Sequence, residues 1–117
     1  MSEKRSDDDG DAAATIRAFH EAVNMTAAKI SHWLDSADSK KVGYKESEGG
    51  ESVGHHSGRR IIEILGKKKA DLGAADLAHM KKVVGYVHRH LAQRPHGGVG
   101  DTRWRYSLMN WGHDPVR

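Results

Sequence analysis

Apolar residues recur at spacings of three and four along most of the chain, and each such run predicts a helix with one buried face. From Ala12 the positions are Ile16, Phe19 and Val23, and Asn24 interrupts them. Thr26 then stands as a cap ahead of Ile30, Trp33 and Leu34. Lys29 occupies the place where a complete capping box would carry Glu or Gln. Ser57 or Gly58 opens a third helix, Arg59 to Lys69, in which Ile61, Ile62, Ile64 and Leu65 make a broad apolar stripe. The fourth, Ala74 to Gln93, has the most regular pattern: Leu77, Met80, Val84, Val87 and Leu91. Pro95 and the glycines at 97, 98 and 100 stop it. In the last stretch Trp104, Leu108 and Trp111 fit a helix, whereas Trp104, Tyr106 and Leu108 fit a strand. Asp101 as a cap and Gly112 as a stop favour a short helix.

The polar stretches set the domain organisation. Residues 1–11 are charged and nearly devoid of apolar side chains, which predicts a disordered acidic tail. Residues 35–58 are rich in glycine and serine, with only Ala37, Val42, Tyr44 and Val53 to bury, and predict a long central loop, whose length implies a functional reason or disorder. The expected architecture is therefore all-α: one small domain of four to five helices over 12–117. Its core is Ile16, Phe19, Ile30, Trp33, Leu34, Ile61, Leu65, Leu77, Met80, Val84, Val87, Leu91 and Trp104. Burying one such large side chain contributes roughly 1.5–3 kcal/mol, so about a dozen can offset the chain entropy of a small domain without metal or disulfide.

Composition narrows the function classes. A chain of 117 residues with 37% hydrophobic and 30% charged residues holds one modest core. It has no cysteine, which removes disulfides, thiolate metal sites and cysteine nucleophiles. No apolar run is long enough for a membrane span, and the start MSEKRSDDDG offers no signal-peptide core, so a cytoplasmic protein is expected.

Charge is more informative than its net value of +3. Residues 1–51 hold seven Lys/Arg against eleven Asp/Glu, a balance of −4, and residues 52–117 hold twelve against five, a balance of +7. A cationic C-terminal body favours polyanions.

Candidate chemistry of other kinds is sparse. His88 and His90 are two apart on a helix and point away from each other, and His55 and His56 are adjacent in the predicted loop, so no metal site is expected and no cofactor with it. Ser52 and Ser57 flank those histidines in ESVGHHSGRR, but no nucleophile elbow or phosphate loop is present, and an enzyme is not expected. Gly58, Arg59 and Arg60, read as a helix start, could hold one phosphate with free N–H groups and cationic side chains.

The basic set is the leading candidate: Arg59, Arg60, Lys67, Lys68, Lys81, Lys82, Arg89, Arg94, Arg103 and Arg105. Lys82 and Arg89 share a helix face at i and i+7, and Arg103, Trp104, Arg105 and Tyr106 interleave cations with aromatic rings. These residues point to a non-catalytic DNA-binding module that grips phosphates, with double-stranded DNA as partner. The alternative is a protein-interaction or structural stress protein, a homodimer in that case, with the Gly/Ser loop and C-terminal aromatics as its contact.

The strings EAVNMT, ESVGHHSGRRIIEIL, MKKVVGYVHRHLAQRP and TRWRYSLMNWGHDP resemble a small family of uncharacterised bacterial and fungal proteins, a domain of unknown function, over roughly residues 16–115. Some of its members are labelled DNA-binding, and that resemblance implies the same partner. MTAAKISHWL, a polar loop and SGRRIIEIL are more loosely similar to the helix, extended loop and helix of SAP-type DNA-binding modules.

Overall fold

A computed structural model describes residues 2–42 and 52–116, with side chains from residue 11 onward. Its α-helices are α1 (Ser2–Ala22), α2 (Ala27–Leu34), α3 (Ala37–Lys41), α4 (Val53–Leu65), α5 (Ala74–Leu91) and α6 (Arg103–Asn110), with a 3-10 turn at Lys69–Asp71. No strand occurs among the described residues. Hydroxyl caps begin four of the helices: Thr26, Ser36, Ser52 and Thr102 accept the N–H groups of Lys29, Ser39, His55 and Arg105 at 3.0–3.2 Å. Helix α5 starts at Gly73, whose N–H donates to the Asp76 carboxylate at 3.0 Å.

The longest contact runs between α1 and α5, while α4 and α6 pack against the other flank of α5 and α2 closes over α4 and α6. Phe19, Ile30, Ile61, Met80, Val83 and Leu108 are completely buried where these helices meet. Every residue expected in the core is buried or packed against it. Val42 and Val99 join the core from outside the helices, 1% and 4% exposed, where no periodicity marks them.

Three boundaries differ from the pattern. Helix α1 begins at Ser2 rather than Ala12. The third predicted helix begins six residues earlier, at Val53, and ends at Leu65, so Gly54, His55, His56, Ser57 and Gly58 are helical and Lys67 to Lys69 lie beyond it. The reason is packing: a Cβ at Gly54 would meet Trp111 at 3.0 Å, and one at Gly58 would come within 2.7 Å of the Asn110 carbonyl oxygen and 2.9 Å of Leu34. These glycines are contact points within a helix, not loop residues, and the close approach outweighs a helix-propensity cost of about 1 kcal/mol each. The expected 35–58 loop is likewise shortened by α3. The remainder of that loop, 43–51, lies outside the described residues.

A polar knot ties the C-terminal helix to the front of the chain. Asn110, fully buried, accepts the Trp33 indole N–H at 2.7 Å and the Ser39 hydroxyl at 2.5 Å through its amide oxygen, and donates to the Ser39 carbonyl at 3.2 Å. Gly112, at φ +80°, then turns the chain in the left-handed region against Val23.

Candidate nucleic-acid interface

Helix α5 places the cations. Asp76, Met80, Val83 and Val87 line its buried face, which leaves Ala78, Lys82 and Arg89 on the opposite, exposed face. Lys82 and Arg89 stand roughly 10 Å apart along the axis, as seven helical residues require. Neither has an ion-pair partner among the described residues, and the Arg89 guanidinium lies over Gly85, 2.9 Å from where a Cβ would project. From Leu77 to Gly100 the sequence contains no Asp or Glu at all, while it carries Lys81, Lys82, Arg89, Arg94 and four histidines. The field on this side of α5 is therefore not cancelled by its own element.

The flank of α5 that faces α4 and α6 carries a column of rings. His79 stacks on Trp111 at 6.2 Å, Trp111 on Tyr86 at 4.2 Å, Tyr86 on His90 at 5.1 Å and His90 on Trp104 at 6.1 Å, all within 14° of parallel. The Arg94 guanidinium lies over the Trp104 ring, 5.4 Å from its centroid. Burial depresses the pKa values of both His79 and His90, and at His79 the Arg60 and Lys82 charges add to the effect. Tyr86 is pushed up by the same burial. His90 Nε2 is buried with no hydrogen-bond partner among the described residues.

A family described as protein of unknown function (DUF3140) matches residues 18–109. The chain belongs to that family. No curated protein and no solved structure matches the chain. The DUF3140 match takes in all of α2 to α5, with Lys82 and Arg89 among its residues. Asp11 and Asp114 lie outside it.

Within the DUF3140 domain, the ten expected phosphate-binding residues do not form one surface. Four are held by carboxylates. Arg60 at 3.0 Å and Lys67 at 2.8 Å converge on the buried Asp76, and Arg60 also reaches Glu63 at 3.6 Å. The Lys67 hydrogen bond, then the Gly73 N–H and Arg60, hold the Asp76 carboxyl far below the usual carboxylate range. Arg105 grips Asp114 with two hydrogen bonds at 3.0 and 3.1 Å and donates to the Gly100 carbonyl at 2.8 Å. Those three cations are structural. The fourth, Lys81, meets Asp11 at 2.6 Å, but both side chains are more than half exposed, and such a surface pair contributes about 0–1 kcal/mol.

Arg103 donates to the Lys41 carbonyl at 3.1 Å, which turns it toward α3. Arg59 and Arg60 sit in the second turn of α4, so the expected anion site at Gly58 is absent: N–H groups there face the preceding turn, and the free N–H groups belong to the helix start at Ser52. Lys68 stands exposed ahead of the 3-10 turn. What remains on one face of α5 is Lys82 and Arg89, with Lys81 at its edge, while Arg94 lies over Trp104 at the end of the ring column.

Ser57 Oγ lies 2.9 Å from His79 Nε2, the spacing of a nucleophile and its base. Ser57 is 1% exposed, however, so the pair joins α4 to α5 and offers no face to a substrate. His55 Nε2 lies 2.7 Å from the Leu34 carbonyl and His113 Nδ1 2.7 Å from that of Ala22, which ties two more histidines to the fold. Among the described residues no three potential metal ligands come together. None of their helices is long and apolar enough to cross a membrane. The ring column escaped the sequence reading, although His79, Tyr86 and His90, spaced by seven and four, mark one flank of α5.

Proposed function

We propose that this domain is a non-catalytic nucleic-acid-binding module that holds the phosphates of duplex DNA on the solvent face of α5. The observation that carries the reading is the acid-free stretch from Leu77 to Gly100 together with the exposed placement of Lys82 and Arg89 on one helix face. Cations at that spacing on a rigid helix meet phosphates without reordering the protein, and each contact releases a condensed counterion. Arg94, whose guanidinium sits over Trp104 at the end of the ring column, lies off this face. The packed ring column braces one flank of the helix, so the face is presented by a rigid element. The Asp76 and Asp114 clusters act in folding rather than in binding.

The experiment is a fluorescence anisotropy titration of the full chain with a labelled random-sequence duplex at two salt concentrations. Affinity that falls steeply as salt rises supports the proposal, and absence of binding at low salt overturns it. In the latter case a dimer in light scattering would move the reading to a protein-interaction role.

A further inference from the structure

We infer that the cleft between α2 and the C-terminal segment is a binding site for a small amphipathic monocarboxylate, separate from the α5 surface. The cleft has a volume of about 450 Å³ and is floored by Met25, Ala28, Trp33 and Met109, a size within the ~300–1,000 Å³ of ordinary small-molecule sites. Two thioethers and an indole make an apolar, adaptable lining.

The polar groups around this floor are already spent on one another. Asn24 uses both ends of its amide on the Asp114 backbone, donating to its carbonyl at 3.0 Å and accepting its N–H at 2.8 Å. The Asp114 carboxylate is neutralised by the two Arg105 hydrogen bonds. The Trp33 N–H points away to Asn110, so the indole offers the cleft carbon. Lys29 and His32 remain: both are exposed, both line the cleft, and neither has a side-chain partner among the described residues. The cleft therefore offers an apolar body site with the Lys29 and His32 side chains at its mouth, and the acceptors that line it, Asn24 and Asp114, are already engaged. That complementarity selects a ligand with an apolar chain and a single anionic end, and it disfavours neutral polar molecules, whose donors would have to compete for acceptors already engaged.

Decanoate, decanol and acetate are the probes, added to the full-length protein and followed by isothermal titration calorimetry. Decanoate is expected to bind with one site per chain, decanol about tenfold or more weaker for want of the charge, and acetate not measurably. Two variants locate the site. Ala28→Leu, on an exposed helical position, fills the cleft and abolishes decanoate binding. Lys29→Glu reverses the charge at the mouth and weakens it by about tenfold or more; because residue 29 is the third of α2 after the Thr26 cap, Glu there completes a capping box and leaves the fold at least as stable. No heat with decanoate at millimolar concentration, equal affinity for decanol, or unchanged binding in a folded Ala28→Leu protein would each overturn the inference. None of these outcomes bears on the DNA titration.

Discussion

The α-carbon of Gly58 lies beneath the main-chain carbonyl of Asn110, so close that a Cβ would approach the oxygen to 2.7 Å. Backbone, not a flexible side chain, would have to move. Gly58→Ala is therefore expected to destabilise the domain by about 1–3 kcal/mol, although alanine is the better helix former. Gly98→Ala, where a Cβ meets nothing within 4 Å, is expected to change stability by less than about 0.5 kcal/mol. Urea unfolding of the two variants checks the contrast, and a neutral Gly58→Ala would show that α4 and α6 do not pack this closely.

Asn110, itself fully buried, satisfies two donors, the Trp33 indole N–H and the Ser39 hydroxyl. Replacing it by Leu keeps an apolar volume but strands the Trp33 N–H and the Ser39 hydroxyl, each costing about 1–3 kcal/mol when buried and unpaired. The expected loss is about 3 kcal/mol. The double change Asn110→Leu with Ser39→Ala should recover part of it, because one stranded group disappears with its partner. Thermal unfolding followed by circular dichroism distinguishes this coupling from simple additivity.

The same two residues show what the sequence discloses and what it conceals. Helices α2, α5 and α6 could be read from Thr26, from the Leu77 to Leu91 spacing and from Gly112, because each signal is local: a cap, a stripe, a stop. The start of α4 could not, since Gly54 and Gly58 resemble loop residues until Asn110 and Trp111, more than fifty positions away, are packed against them. The candidate site failed in part for a related reason. Arg60, Lys67 and Arg105 read as surface cations, but whether a carboxylate waits for them depends on tertiary placement of Asp76 and Asp114. Lys82 and Arg89 were legible because a single helix fixes both their common face and the absence of acidic neighbours along it.

His90 is stacked between Tyr86 and Trp104 with its Nε2 unsatisfied among the described residues, and burial lowers its pKa. His79 is lowered as well. A base with a depressed folded-state pKa binds protons more readily when unfolded. The stability it contributes is thus complete above its unfolded value, roughly pH 6.5, and is lost as pH falls through the folded value. The wild-type protein should become less stable between pH 7 and pH 5. His90→Phe keeps a ring in the column and removes the stranded nitrogen, so it is expected to be neutral or up to about 1 kcal/mol more stable at pH 7, with a larger advantage at pH 5. Melting temperatures at the two pH values test this, and an advantage that does not grow on acidification would show that His90 is not the titrating group.

Cations that bind phosphate and cations that hold the fold should separate in a salt series. Lys82 and Arg89 have no carboxylate partner among the described residues, so replacing both by Ala is expected to leave the melting temperature nearly unchanged. If each contacts one phosphate, the slope of log affinity against log salt falls by about 0.9 per residue, or roughly 1.8 for the pair. Arg105→Ala should do the opposite. Its loss leaves Asp114 half-buried without its two hydrogen bonds, at a cost of about 2 kcal/mol or more, and the salt slope of the protein that remains folded is unchanged. Lys81→Ala lies between, because its exposed pairing with Asp11 competes only weakly with a phosphate. Should the Lys82 and Arg89 variant keep the wild-type slope while Arg105→Ala reduces it, the phosphate-binding surface would lie at α6, and α5 would have no part in it.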